Sequence, residues 1–216
     1  MFLYLTMKYK NLTLIGTSHI AKQSLDDVET SITSLNPDLI CLELDPKRFY
    51  ALTHNLKKEK FSLRAIRQVG LKGYLFSIIG AYAEKKLGNY VGVSPGSEML
   101  KAIELAKKNK IKLALIDQEI DITLKRFSKE FTWKEKFRLV WDIIKAIILR
   151  KKEIEFDLRT VPNKKIINKL ISQVKKRYPN LYKVLIEERN DHMASKLAKL
   201  IATNEDKIIL AFVGAG

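Results

Sequence analysis

Short apolar runs and longer helical stripes alternate along this chain. The runs are rich in β-branched residues and end in glycine or an acid, which is typical of buried strands. The predicted strands are Leu12 to Gly16, Asp38 to Asp45, Ile111 to Asp117 and Lys207 to Gly214. Between the first two strands, Val28 and Ile32 share one helical face, and Asn36-Pro37 ends that helix. Strand, helix, strand with a short crossover predicts parallel strands with a right-handed connection.

Two long helical insertions interrupt this alternation. The first runs from Pro46 to Leu87 and the second from Asp121 to Ala202. Between them, a helix from Pro95 to Lys108 is predicted, with Ser94 as its N-cap. The predicted fold class is therefore α/β, a largely parallel sheet with helical crossovers and two long helical insertions. Residues 1–216 are predicted to form a single domain.

The helix from Trp133 to Arg150, in the second insertion, carries an apolar stripe with basic residues elsewhere. The stripe consists of Trp133, Phe137, Val140, Trp141, Ile144, Ile147 and Ile148. Such a helix suits the surface of a membrane. Packing in the core, or across a dimer of identical chains, fits the same stripe at least as well.

Composition limits the partners. The chain is 46% apolar and 30% charged, as in globular proteins, and 40 Lys and Arg against 24 Asp and Glu give a net charge of +16. That charge favours an anionic partner, although lysines spread along a solvated surface explain it equally well. Nucleic-acid signatures are lacking, so no nucleic-acid partner is expected. With no apolar run long enough to span a bilayer, the chain itself is expected to be soluble.

Candidate chemistry collects where predicted strands end. His19, Glu43, Asp45 and Asp117 all follow apolar runs, and the carboxyl ends of parallel strands meet at one edge. If the strands of His19 and Glu43 are neighbours, about 4.8 Å apart, both side chains can contact one ligand. A histidine with carboxylates indicates a divalent metal site or a general acid/base pair. Asp45 precedes Pro46 and is predicted to be an N-cap instead.

The last helix carries a charged residue within its apolar stripe. At 100° per residue, Arg189 and Asn190 fall within the apolar stripe that includes Ile186 and Met193. A guanidinium that faces the core needs an anionic partner, because an unpaired buried charge is very costly. The strand-end acids Glu43 and Asp117 could supply that partner. A purely structural ion pair is the alternative.

Six motifs in order resemble the TraB/PrgY family, and the matches run from Lys8 to Gly216. They read GTSH, PDLICLELDPKR, GVSPGSEMLKAIELA, LALIDQEIDITLKR, YPNLYKVLIEERNDHMASKL and ILAFVGAG. The family is related to pheromone-shutdown proteins and, distantly, to Tiki proteases, erythromycin esterases and haem-binding ChaN-like proteins. Its members carry a G-x-x-H motif near each end of the domain. The second motif would start at Gly214, so we expect the domain to be truncated here, before a membrane region of the full-length protein.

The resemblance implies roles for particular residues. His19 and Glu43 match the family's candidate metal or catalytic positions, for a divalent ion of unknown identity. Arg189 or Arg126 would hold a carboxylate or oxyanion beside them. Further positions that match the family motifs, with substrate binding as the implied role, are Glu98, Asp117, Arg126 and Asn190. The family often has arginine where Gln118 stands and aspartate where Asn190 stands, so neither position here can supply the family's charge.

The implied activity is metal-dependent hydrolysis of peptides. Tiki-like relatives suggest it, with Glu43 or Glu98 moving protons near the metal. The rival interpretation is a non-enzymatic, membrane-associated module that binds or sequesters a peptide or a haem-like ligand.

Overall fold

The computed structural model describes residues 6–17, 22–54, 96–149 and 164–214. Five strands form one sheet: β1 (Thr6–Tyr9), β2 (Leu12–Thr17), β3 (Leu39–Leu42), β4 (Lys112–Leu115) and β5 (Ile209–Gly214). The mixed α/β class and the mostly parallel sheet confirm the predicted fold. His19 and most of the first insertion lie outside the described residues.

The strand order is β1-β2-β5-β3-β4. All neighbours are parallel except β1, which pairs antiparallel with β2 in a hairpin that the sequence analysis did not predict. β5 lies between β2 and β3, so the strands that precede His19 and Glu43 are not neighbours. Ile209 to Phe212 of β5 are completely buried, which fits the central position of a strand apolar on both faces.

Helices cover both faces of the sheet. On one face, α1 (Lys22–Leu35) and α3 (Ser97–Lys108) bury Val28, Ile32, Met99 and Ile103 against the strands. On the other face, α8 (Glu188–Thr203) buries Met193, Leu197 and Ile201. Successive side chains of a strand point to opposite faces of the sheet, so each strand contributes to both cores. In β3, Ile40 and Leu42 face α1, while Leu39 and Cys41 face α8.

The described part of the second insertion, between β4 and β5, is mostly helical, as predicted. It comprises α4 (Ile120–Glu130), α5 (Trp133–Leu149), α6 (Lys164–Arg177), the single turn α7 (Pro179–Tyr182) and a π-helical turn (Lys183–Glu187), and it ends in α8. A small core of Phe127, Phe131 and Val184 joins these helices. The remaining helix, α2 (Pro46–Thr53), follows β3. Within the described ranges, no helix is long and apolar enough to cross a membrane.

Some helix starts differ from the prediction. α3 begins at Ser97 after Gly96, whose φ of 80° is left-handed and therefore suits glycine, rather than at Pro95. The S-x-x-D pattern of Ser24 and Asp27 predicts a capping box, but α1 includes Lys22, so Ser24 lies inside the helix and is buried. The C-terminal ends of both helices agree with the prediction. Asn36, with a φ of 43°, follows α1, and Asn109 caps α3.

Candidate functional site at the carboxyl edge of the sheet

Arg189 contacts both predicted acids. Its Nη2 lies 2.5 Å from Glu43 Oε1 and 2.7 Å from Asp117 Oδ2, and its Nε lies 3.1 Å from Asp117 Oδ1. Nη1 also donates to the carbonyl oxygen of Leu185 at 3.3 Å, in the π-helical turn that leads into α8. The expectation that a guanidinium on this stripe would find an acid at the strand ends is confirmed.

Glu43 joins three elements. It follows β3 directly, and its backbone N–H donates to Phe212 of β5 at 3.1 Å. Its Oε2 accepts from the Gly214 N–H at the end of β5 at 2.5 Å, while Oε1 accepts from Arg189 on α8. Gly214 in turn pairs with Thr17, the last residue of β2. Although β2 and β3 are not neighbours, the Glu43 carboxylate therefore lies one strand away from the end of β2.

Arg48 completes the group. Asp45 caps α2, as predicted, by accepting from the N–H groups of Lys47 and Arg48 at 2.9 and 3.2 Å. The Arg48 Nε returns a bond to Asp45 Oδ2 at 2.6 Å, and its Nη2 donates to Asp117. We call Glu43, Asp45, Arg48, Asp117 and Arg189 the carboxyl-edge cluster. With three acids and two guanidinium groups, its formal charge is −1.

Most side chains in these ion pairs are largely buried, which affects their pKa values. The side chains of Asp45 and Asp117 are fully buried, whereas those of Glu43, Arg189 and Arg48 are 11%, 23% and 37% exposed. Burial by itself would raise the pKa of Asp117, but hydrogen bonds and charge from Arg189 and Arg48 outweigh it and lower that pKa. Burial would lower the pKa of Arg189, but hydrogen bonds and charge from Asp117 and Glu43 outweigh it and raise that pKa. Asp117 and Arg189 are therefore ionised at neutral pH. The exposed side of the cluster is formed by the guanidinium groups and Glu43.

Two further residues predicted from the motifs, Glu98 and Arg126, do not join the cluster through the bonds described above. Glu98 is buried in the first turn of α3, only 1% exposed. Arg126 on α4 forms a two-point ion pair with Glu188, at 3.1 and 2.6 Å, and reaches Glu130 at 3.3 Å. Its guanidinium therefore connects α4 to the residue next to Arg189.

The predicted position of Asn190 in the buried stripe is wrong. Asn190 is exposed, while Arg189, Met193 and Leu197 follow one another at four-residue spacing along the inner face. α8 meets the strand ends at its first turn through Arg189, while Asn190, one residue further round the helix, is not covered there. Helical angle alone therefore overstated the burial of Asn190.

The sequence pattern did not single out two basic residues at this edge, Arg48 and Lys196. Arg48 stands three residues after the capping Asp45, a helical spacing that could have revealed the pair. Lys196, on α8, donates to the carbonyl oxygens of Leu115 and Asp117 at 3.3 and 3.5 Å, just after β4 ends. A lysine on a half-polar helix gives no sequence signal for such a contact.

A metal centre does not form from the described residues alone. Across residues 6–17, 22–54, 96–149 and 164–214, no three His, Cys, Asp or Glu side chains form a group that could hold an ion. Asp45 and Asp117 are ion-paired with Arg48 and Arg189. Glu43 is also paired with Arg189, and it alone of the three acids bonds the end of β5, the neighbour of β2. His19 lies outside the described residues, so its pairing with Glu43 stays a prediction.

The fold and the ion-paired cluster at its carboxyl edge define an α/β domain with a polar centre at the edge where ligands bind in open sheets. Comparison with known proteins gives the family. The model of the TraB/PrgY/gumN family matches residues 5–216, and the chain belongs to this family.

Named relatives agree with that assignment. An uncharacterized protein of Methanocaldococcus jannaschii, MJ1365, is 38% identical over 210 residues, which cover 95% of this chain and 51% of that protein. The human TraB domain-containing protein is 25% identical over 195 residues, or 85% of this chain and 51% of that protein. The mouse TraB domain-containing protein is 23% identical over the same shares. The chain thus spans about half the length of the curated relatives that it matches.

Proposed function

We propose that this TraB-family domain hydrolyses peptide bonds at the carboxyl edge of its sheet. The observation that carries the proposal is the position of Glu43, whose carboxylate bonds the end of β5 and Arg189 and lies one strand from the end of β2. His19 follows β2 by two residues in the sequence. An imidazole and a carboxylate that approach one centre are suited to general acid/base chemistry.

Glu43 and Arg189 have complementary roles in this proposal. Glu43 takes a proton from the attacking water, because its carboxylate is partly exposed and fixed at both oxygens. Arg189 is held by Asp117, so its charge is already in place to stabilise a substrate carboxylate or the oxyanion that develops on the scissile carbonyl. Asp117 acts only by positioning Arg189.

A divalent metal enters the proposal only through His19 and Glu43. The described side chains do not complete a metal site, so the roles of Glu43 and Arg189 are assigned without one. Metal analysis of the full-length protein tests this part. Bound metal that is lost in a His19→Ala variant, but kept in a His54→Ala variant, supports ligation. His54 is an exposed residue on the last turn of α2, which makes it a matched control. Equal metal content in all three proteins contradicts it.

Peptide cleavage tests the activity itself. The full-length protein is incubated with a mixed peptide library, and new termini are identified by mass spectrometry. We expect cleavage that depends on His19 and persists in the His54→Ala variant. Cleavage that His19→Ala leaves unchanged contradicts the proposed centre, and the lack of any cleavage by the folded protein contradicts hydrolysis.

Ligand binding without turnover is the second candidate, favoured by the state of Arg48. Its side chain bonds Asp45 and Asp117 yet remains 37% exposed, so it can also take an anionic group such as a peptide carboxylate or a haem propionate. Calorimetric titration with haemin and with library peptides tests this interpretation. Saturable binding that weakens in Arg48→Ala, without any cleavage, supports a sequestering module. Unchanged affinity in that variant contradicts it.

A further inference from the structure

Helix α5 presents an apolar face to solvent. Trp133, Phe137, Val140 and Trp141 are 66%, 71%, 55% and 57% exposed. They recur at three- and four-residue spacing and therefore lie on one side of the helix. We call these four residues the aromatic face. A contiguous exposed patch of this kind marks an interaction surface rather than a core.

The opposite side of α5 holds both of its acids. Glu135 is 3% exposed and accepts from the backbone and side-chain nitrogens of Asn180 at 2.9 and 3.0 Å. Asp142 is ion-paired with Arg177 and accepts from the Tyr178 hydroxyl, which lowers its pKa to about 2. Leu139 packs between them into the small core of the insertion. Both carboxylates thus find their partners within the protein, Asp142 in an ion pair and Glu135 in hydrogen bonds, and neither acid of α5 lies on the aromatic face.

Lysines flank the aromatic face. Lys134 and Lys145 are exposed, the Lys145 ammonium lies 5.5 Å from the ring centre of Trp141, and that of Lys136 lies 4.5 Å from the ring centre of Trp133. Lysine stems that lie along apolar surface place their charges at its rim. A helix with Trp and Phe at the centre and lysines at the rim has the features of one that lies in a membrane interface.

We propose that the aromatic face of α5 docks on an anionic phospholipid surface, with the helix axis parallel to the membrane. The flanking lysines complement acidic headgroups, and the Trp and Phe rings enter the boundary between headgroups and acyl chains. A second copy of this chain is a poorer occupant, because a two-fold contact brings the same lysines of both copies together. The proposal concerns adsorption by this helix and does not depend on the proposed hydrolysis.

Tryptophan fluorescence can follow the docking of this face directly. The only two tryptophans of the protein are Trp133 and Trp141, both on the aromatic face, so tryptophan emission reports on this surface alone. Vesicles of phosphatidylcholine with phosphatidylserine are compared with vesicles of phosphatidylcholine alone. We expect a blue shift and co-sedimentation with the anionic vesicles, both reduced by high salt. We also expect at least about tenfold weaker binding in a Lys134→Glu/Lys145→Glu variant. Lys108→Glu/Lys199→Glu, the same change of charge at exposed lysines of α3 and α8, should bind like the original protein.

Several results would overturn the proposal. They include no shift with anionic vesicles, equal binding by the Lys134→Glu/Lys145→Glu variant, and equal weakening by the Lys108→Glu/Lys199→Glu control. A blue shift that appears without vesicles as protein concentration rises would indicate a second copy as the occupant. Emission that is already blue and shielded from acrylamide at low concentration would show that another part of the chain covers the face. A Phe137→Ala variant, which keeps both probes and the charge, must also bind the anionic vesicles more weakly.

Discussion

One nitrogen of Arg189 bonds both Glu43 and Asp117, at 2.5 and 2.7 Å. The two acids follow neighbouring parallel strands, and the arginine comes from the helix that packs across them. This contact joins β3, β4 and α8 at the edge where ligands of open α/β sheets bind. It makes the stability of the domain and the geometry of the proposed centre depend on the same ion pairs.

Loss of the Asp117 charge should be strongly destabilising. In Asp117→Asn, Arg189 and Arg48 lose their shared, fully buried anionic partner and keep only Glu43 and Asp45, at a cost of about 2–3 kcal/mol. Urea unfolding at pH 7 measures the change in the free energy of unfolding. Asp206→Asn, at an exposed position before β5, is the control and should change it by less than about 0.5 kcal/mol. Equal effects of the two substitutions would show that the Asp117 ion pairs add nothing to stability.

The same carboxylate should give stability a dependence on pH. The pKa of Asp117 is lowered in the folded protein, so its contribution is fully present above its ordinary value of 3.8. That contribution is lost as pH falls below this value and through the lowered pKa of the folded state. Unfolding free energies measured from pH 7 down to pH 3 should fall more steeply for the original protein than for Asp117→Asn. Parallel curves would mean that Asp117 titrates alike in the folded and unfolded states.

Glu135 should anchor α5. It forms a capping box with Thr132, in which each side chain bonds the backbone N–H of the other at 3.3 Å, and it also bonds Asn180. Glu135→Ala leaves these donors unpaired and should cost about 1–3 kcal/mol. Glu119→Ala, before α4 and without a side-chain capping bond, is the control. Chemical denaturation of both variants checks this, and a Glu135→Ala protein as stable as its control would refute the anchoring role.

Cys41 should be inert in the native protein. It lies in β3 with no exposed surface, and burial raises the pKa of its thiol to about 12. Because the thiolate is the reactive form, a disulfide reagent should modify Cys41 only after denaturant is added. Absorbance of the released thiol measures both rates. Rapid modification without denaturant would show that the core around β3 opens readily.

Much of this structure was predictable from pattern, because buried strands and amphipathic helices carry strong periodic signals. Val28, Ile32, Met99 and Ile103 are buried as expected, and Arg189 meets both of its predicted acids. Strand order was not predictable, since nothing local places β5 between β2 and β3.

The hydrophobic pattern also did not predict which side chains are exposed. The stripe of α5 reads like a core helix, yet its described aromatic residues face solvent because the inner side is held by Glu135 and Asp142. Asn190 has the helical angle of a buried residue but lies where the sheet has ended. Both outcomes depend on tertiary contacts that hydrophobic periodicity does not encode.

The central claim, that Glu43 acts in the reaction, is tested most directly by kcat/KM of Glu43→Gln in the full-length protein. Glu188→Gln is a matched control, because Glu188 also pairs with an arginine and adjoins Arg189. The amide oxygen can still accept from Gly214 or Arg189, so the substituted protein is expected to fold. We predict that Glu43→Gln lowers kcat/KM for peptide cleavage by about 100-fold or more, while Glu188→Gln changes it little. Comparable rates for Glu43→Gln and the original protein would contradict the account.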